Sequence, residues 1–184
     1  VLGGFAGVEK QLAPLAELGI TAIELMPLAQ VPGERNWGYD GVLPYAPQSS
    51  YGTPDQLKHL IDCAHGHGLM VILDVVYNHF GPDGNYLGQY ASDFFREDVH
   101  TPWGPAIDFR RRQVRDYFID NALMWVHDYR VDGLRFDAVH AIGERDFLLE
   151  LAERLHASIP ASRHLHLVLE NENNDAELLQ QGFV

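Results

Sequence analysis

The chain has 184 residues, of which 46% are hydrophobic and 21% charged, and this composition is typical of a folded globular protein. Its formal net charge of -13 disfavours binding to nucleic acid or to an anionic membrane surface. The single cysteine, Cys63, excludes an internal disulfide, and we expect a cytoplasmic protein with no membrane span, no metal and no other cofactor.

Apolar spacing predicts four amphipathic helices, each followed by a short buried strand. The expected segments are helices over residues 8–18, 54–66, 113–129 and 144–157, and strands over residues 21–27, 70–76, 131–136 and 165–169. Pro14 removes a backbone donor inside the first helix and predicts a kink there. Thr53 and Gln56 have the spacing of a capping box, with Pro54 at the first helical position.

The alternation of helices and strands predicts βαβ units around a parallel sheet, which is either open and doubly wound or closed as a barrel. Residues 80–109 interrupt this pattern with Gly, Pro and aromatic residues that show no periodicity. A loop of that length usually has a function. It follows the C-terminal end of a strand, where the active sites of parallel barrels lie.

Charged side chains stand at the ends of three predicted strands, where packing does not require them: Asp74, Arg135 with Asp137, and Glu170. Two facing carboxyl groups about 5 to 5.5 Å apart are what a retaining glycosidase needs. Arg135 lies two residues before Asp137 on the same side of the strand and favours its ionised form. We expect Glu170, further from that cation, to have a raised pKa and to act as the acid.

Each of these residues also has an interpretation without catalysis. Asp137 and Glu170 can cap neighbouring helices, and Asp74, inside an apolar run, is more typical of a structural hydrogen-bonding residue than of a catalytic one. Cys63, His65 and His67 are close in sequence, but they end a helix and lack a fourth ligand, so we interpret them as structural and not as a metal site.

Three motifs occur in the order expected of a known family. Asp74-Val-Val-Tyr-Asn-His79, Gly133-Leu-Arg-Phe-Asp-Ala-Val-His140 and Leu167-Val-Leu-Glu-Asn171 resemble signature regions of the α-amylase family, glycoside hydrolase family 13. The resemblance implies an α/β fold, a partial (β/α)8 TIM barrel from about helix 1 through strand 5. Residues 1–184 would be a fragment of the catalytic barrel domain, and residues 80–109 the loop after its third strand.

The same resemblance implies roles for individual residues. Asp137 would be the nucleophile, Glu170 the acid/base and Arg135 the partner of the nucleophile, while a third catalytic Asp would follow Val184. His79 would donate to the sugar in subsite -1, and Tyr45 would lie under that sugar. We add His140, Trp103 and Trp37 as candidate sugar contacts from their positions after a strand or on loops, and expect Asp74 and Asn78 to be structural supports.

A narrower resemblance involves residues 24–27, 32–41, 78–87 and 101–109, which are similar to the malto-oligosyltrehalose trehalohydrolases within that family. It implies hydrolysis of the α-1,4 bond next to the terminal trehalose of maltooligosyl trehalose, or of a related α-glucan, in trehalose biosynthesis. Two alternatives remain open: transglycosylation, as in glycogen branching enzymes, and a catalytically incomplete fragment.

Overall fold

The computed structural model describes residues 3–173 and 175–184. Parallel strands alternate with helices along most of the chain, as the apolar spacing predicts. In chain order the helices and strands are α1 (Phe5–Glu9), α2 (Leu12–Glu17), β1 (Ala22–Leu25), β2 (Ala29–Gln30), β3 (Leu43–Pro47), α3 (Pro54–Gly66), β4 (Met70–Val75), α4 (Leu87–Tyr90), β5 (Phe95–Thr101), β6 (Gly104–Ile107), α5 (Arg112–His127), β7 (Gly133–Phe136), α6 (Arg145–Ser158) and β8 (His166–Leu169).

The main sheet contains four parallel strands in the order β1, β4, β7, β8. Each strand is thus added beside the one before it, whereas a doubly wound sheet reverses direction from its first strand. This sequential order is the one found in a (β/α)8 barrel and excludes the doubly wound alternative for these strands. The sheet is continued at its last edge by Val184, which exchanges two backbone hydrogen bonds of 2.9 Å with Leu167 and Leu169 of β8.

The helices cover the sheet with the faces that their apolar spacing predicts. Helix α3 begins with the predicted capping box of Thr53 and Gln56, with Pro54 at its start, and buries its apolar side. Helix α5 buries Phe118 at the centre of an aromatic group that reaches Tyr77 on one side and Phe109 on the other. None of the helices in the described part of the chain combines the length and apolarity that crossing a bilayer requires.

The prediction of one continuous first helix was wrong. Instead of one helix over residues 8–18 there are two short helices, and the chain turns between them at Lys10 and Gln11. Pro14 is the third residue of α2, where a backbone N–H has no partner within the helix. The proline therefore removes no hydrogen bond from α2, and the chain turns ahead of it, where the ring of Pro14 would clash with the Lys10 carbonyl of a continuous helix.

Residues 80–109 contain more regular structure than their composition predicts. The segment includes α4 and an antiparallel hairpin of β5 and β6, in which Thr101 pairs with Gly104. Strand β5 is mostly exposed and has no alternation of apolar and polar residues, so it gave no strand signal. Phe94 and Phe95 anchor the hairpin by packing on Phe80 after β4. A second antiparallel pair, β2 with β3, was also not predicted, because β2 has only two residues.

Candidate active site

Arg135 is the centre of the candidate site. Its Nη1 lies 2.7 Å from Oδ2 of Asp74 and 3.1 Å from Oδ1 of Asp137, and its Nη2 lies 3.0 Å from Oε2 of Glu170. Asp74 and Arg135 are paired in the ladder between β4 and β7, which places both side chains on one face of the sheet. The structure thus brings these four side chains together at the C-terminal ends of neighbouring strands, while their catalytic roles stay predictions.

The backbone fixes Asp137 and Glu170 by continuing the sheet one residue beyond its strands. The amide of Asp137 donates to Val75 at 3.0 Å, and that of Glu170 donates to Phe136 at 3.0 Å. Ala138, which follows Asp137, has a left-handed backbone with φ of 44°, an unusual conformation for a residue with a side chain. The turn directs the Ala138 amide at Oε2 of Glu170, 2.9 Å away. Positive φ in a non-glycine residue is frequent at functional sites.

The raised pKa expected for Glu170 is wrong. The hydrogen bond from the Ala138 amide and the positive charge of Arg135 hold the pKa of Glu170 below its ordinary value of 4.5, although partial burial opposes them. The expectation failed because the turn after Asp137 aims the Ala138 amide at Glu170, and because Arg135 reaches the next strand as well as its own. In the free chain Glu170 is therefore an ionised carboxylate.

Asp74 is the buried member of the cluster, with a side chain only 2% exposed. Burial raises the pKa of its carboxyl group, while hydrogen bonds from Arg135 and Tyr39 oppose that change. Oδ2 takes both of these bonds, and Oδ1 is buried without a partner among the described residues. These contacts suit the predicted role of Asp74 as a structural support, because the buried carboxyl group holds Arg135 in place.

Tyr39 is a site residue that the sequence analysis missed. Its hydroxyl donates to Oδ2 of Asp74 at 2.8 Å, and burial together with this bond raises the pKa of Tyr39 to about 12. Tyr45, the tyrosine predicted for the site, instead donates to the backbone carbonyl of Tyr117 on α5 at 2.6 Å. Tyr39 lies within residues 32–41, one of the segments that resemble trehalohydrolases, and that segment was the available signal. We therefore replace Tyr45 by Tyr39 as the candidate tyrosine beneath the sugar.

Asn78 and His79 follow β4 and lie beside the cluster. The Asn78 amide donates to the backbone carbonyl and to Oδ2 of Asp137, at 2.8 and 3.0 Å, as expected of a support. The two ring nitrogens of His79 face Oδ1 of Asn78 and the carbonyl of Tyr39, the latter at 2.9 Å. A donor role for His79 stays a prediction, and it requires a sugar hydroxyl to replace one of these partners.

The hairpin of β5 and β6 reaches the site through Trp103 in its turn. The Trp103 ring stacks on the His79 ring, with centroids 4.3 Å apart and planes inclined by 12°. Arg96 of β5 also forms an ion pair of 3.0 Å with Glu144, ahead of α6. Trp103 thus lies beside the cluster, one face of its ring is occupied by His79 in the free chain, and its contact with sugar stays a prediction.

The remaining predicted contacts lie at the margin of the cluster. Trp37 is 79% exposed on the loop that also carries Tyr39. His140 lies 3.7 Å from Glu172 through Nε2, and its Nδ1 is buried without a hydrogen-bond partner in the described part of the chain. Their contacts with sugar stay predictions. Neither belongs to the group of side chains around Arg135.

The arrangement has a clear electrostatic character. Three carboxyl groups surround one guanidinium, so acidic groups outnumber the single basic group at the open rim of the sheet. A preorganised group of this kind stabilises a substrate that gains positive charge as it reacts. A glycoside, which reacts through an oxocarbenium-like transition state at its anomeric carbon, is such a substrate, and a carboxylate beside that carbon can also attack it.

Comparison with known proteins agrees with this chemistry. Residues 1–103 match the family model described as alpha amylase, catalytic domain. A protein of Deinococcus radiodurans is 45% identical over 174 residues, which are 93% of this chain and 29% of that protein. One of Saccharolobus solfataricus is 48% identical over 160 residues, 84% of this chain and 28% of that protein. Both carry the name malto-oligosyltrehalose trehalohydrolase.

A solved structure shows the same fold. The crystal structure of a putative alpha amylase from Salmonella typhimurium superimposes with a TM-score of 0.90 at 50% sequence identity, and the match covers 93% of this chain and 30% of that one. The chain thus spans under a third of the length of the curated relatives named above.

Proposed function

The chain belongs to the alpha-amylase catalytic-domain family, and on that premise we propose that it provides the nucleophile and the acid/base of a retaining α-glucan hydrolase. The observation that carries the proposal is the position of Arg135, which contacts the carboxyl groups of Asp137 and Glu170 at 3.1 and 3.0 Å. One guanidinium between two strand-end carboxyl groups holds both beside the same substrate atom. We further propose that residues 1–184 are part of the catalytic barrel domain.

In the first step, an Asp137 oxygen attacks the anomeric carbon of the sugar and forms an ester bond as the glycosidic C–O bond breaks. Glu170 gives its proton to the departing oxygen. The bond from Asn78 to Oδ2 and the contact of Arg135 with Oδ1 orient the attacking carboxylate. In the second step, water attacks the same carbon, Glu170 takes a proton from it, and the ester bond to Asp137 breaks.

Glu170 must be protonated to begin this cycle, although the free chain favours its ionised form. A bound glucan excludes water from the rim, which strengthens the repulsion between Glu170 and Asp137 and penalises the ionised form. We propose that substrate binding therefore weakens the contact between Arg135 and Glu170 and raises the pKa of Glu170.

We propose maltooligosyl trehalose as the substrate and trehalose as the product. The support comes from the names of the relatives from Deinococcus radiodurans and Saccharolobus solfataricus and from the four sequence segments shared with trehalohydrolases. The segment over residues 101–109 carries Trp103, which stacks on His79 beside the carboxyl cluster. A loop so placed contributes to the cleft in which the end of the glucan is recognised.

The test uses the full-length protein that contains this chain, incubated separately with maltooligosyl trehalose and with amylose. We expect trehalose from the first and no new α-1,6 branches from the second. Branches in amylose without release of trehalose would contradict the hydrolase and establish transglycosylation. Absence of both reactions, in a protein shown to be folded, would contradict both enzymatic functions.

Two substitutions separate the roles of the carboxyl groups. Asp137→Asn is expected to lower kcat by about 10³-fold or more on every substrate, because no ester can form. Glu170→Gln is expected to slow the hydrolysis of maltooligosyl trehalose severely. It is expected to slow the first step on an α-glucosyl fluoride only mildly, since fluoride leaves without a proton. An equal loss of rate in Glu170→Gln on the two substrates would contradict the acid role.

A further inference from the structure

A second group of ligand atoms lies away from the carboxyl cluster, on the outer helices. Glu9 ends α1, while His59 and Cys63 stand one turn apart on the same side of α3. Nδ1 of His59 lies 3.2 Å from Oε2 of Glu9 and 3.3 Å from Sγ of Cys63, and all three atoms lie within 4.8 Å of one another. Carboxylate, imidazole and thiol thus converge from two helices.

Helix α1 is held against the segment that leads into α3 by contacts that do not involve these three side chains. Phe5 of α1 is buried and packs edge-on against Tyr51, with ring centroids 6.2 Å apart. Gly4 has φ of 71°, and a Cβ there would lie 2.3 Å from the backbone oxygen of Tyr51, so a residue with a side chain does not fit. Helix α1 therefore packs beside α3 before any ligand binds, with Glu9 at its end.

We propose that Glu9, His59 and Cys63 bind one Zn²⁺ ion. Thiolate, imidazole and carboxylate are the usual ligands of zinc, and the thiolate disfavours magnesium and calcium. Tetrahedral geometry with ordinary zinc bond lengths places such ligand atoms roughly 3.3 to 3.6 Å apart, close to the two distances around His59. The His59 side chain is 63% exposed, so water can take the fourth position.

The site is separate from the proposed catalytic chemistry. Cys63 lies in the last turn of α3, which leads into the N-terminal end of β4, whereas the carboxyl cluster lies at the C-terminal ends of the strands. The sequence analysis grouped Cys63 with His65 and His67, but His65 binds Asp132 at 2.8 Å instead. Among the residues that the structure describes, no other three His, Cys, Asp or Glu side chains bring ligand atoms this close.

Cobalt reports both the ligands and the geometry. Titration of the full-length protein with Co²⁺ under reducing conditions is expected to give one thiolate-to-metal charge-transfer band and the intense visible bands of tetrahedral cobalt, and Zn²⁺ is expected to displace both. Cys63→Ser, His59→Ala and Glu9→Gln are each expected to weaken zinc binding at least about tenfold. His67→Ala, four residues beyond Cys63, is the matched control and is expected to change nothing.

A second measurement uses the unsubstituted protein, so its result does not depend on whether the variants fold. Alkylation of Cys63 is followed by peptide mass spectrometry, with and without one equivalent of Zn²⁺, and zinc is expected to slow the reaction at least about tenfold. Unchanged alkylation of Cys63 would overturn the site, as would octahedral cobalt without a thiolate band. Equal zinc affinities for Cys63→Ser and the unsubstituted protein would do the same.

Discussion

The carboxyl groups of the site differ because of individual contacts. Asp74 is buried beneath Arg135, whereas the side chain of Glu170 is 45% exposed and takes a hydrogen bond from the Ala138 amide. The motif sequences were sufficient to find Asp74, Arg135, Asp137 and Glu170. They were not sufficient to find the pKa of Glu170, because that depends on the reach of Arg135 and on a left-handed turn at Ala138.

Glu170 gives a prediction about stability and pH. Its pKa is lower in the folded chain than its ordinary value of 4.5, so its contribution to stability is present above about pH 4.5 and is lost as the pH falls through the folded pKa. Chemical unfolding of the unsubstituted protein and of Glu170→Gln is measured between about pH 3 and pH 7. We expect the advantage of the unsubstituted protein to shrink on acidification. An advantage that grows on acidification would contradict the lowered pKa.

A second prediction at this scale separates the two tyrosines. Tyr39 binds Asp74, whereas Tyr45 binds the backbone of Tyr117 on α5. Tyr39→Ala in the full-length protein is expected to lower kcat/KM on maltooligosyl trehalose at least about tenfold, equivalent to about 1.4 kcal/mol. Tyr45→Ala, the control, is expected to alter stability with kcat/KM nearly unchanged. The reverse result would restore Tyr45 as the residue beneath the sugar.

Among the elements, the three long helices and the parallel strands were predictable, whereas the short helices and the antiparallel strands were not. Helix α5 and strand β4 are long enough for their apolar residues to reveal a helical face and a buried strand. Strand β5 is polar and exposed, and only its pairing with β6 and its anchoring by Phe94 and Phe95 make it a strand. Those contacts are tertiary and leave no local pattern.

The hairpin of β5 and β6 is expected to depend on its ion pair with the segment ahead of α6. Arg96 and Glu144 are only 18% and 14% exposed at their side chains. Arg96 also binds Asp98 within β5, so its bond to Glu144 is the one of these two that ties the hairpin to the segment ahead of α6. Glu144→Gln is expected to weaken the docking of the hairpin, which accelerates hydrogen exchange of its amides roughly two- to fivefold. Asp116→Asn breaks the more exposed pair with Arg112 and serves as control. Equal exchange in both variants would contradict the anchoring.

At the scale of the whole molecule, the order of the strands explains how the site forms. Because β4, β7 and β8 are parallel neighbours, the residues at their C-terminal ends reach a common rim, although Asp74 and Glu170 are far apart in the chain. The alternating pattern predicted the parallel sheet, but it left the barrel and the doubly wound sheet equally open. The spatial order of the strands separates these two, and it is a property of tertiary packing.

Trapping the covalent intermediate tests most directly whether these strands carry a retaining glycosidase. The full-length protein is treated with a 5-fluoro-α-glucosyl fluoride. This reagent forms the glycosyl ester readily, the ester hydrolyses slowly, and the labelled peptide is identified by mass spectrometry. We expect one glucosyl group on Asp137 and none in Asp137→Asn. A label on Glu170 or on another carboxylate, or an active enzyme that forms no ester, would contradict the assignment of Asp137 as nucleophile.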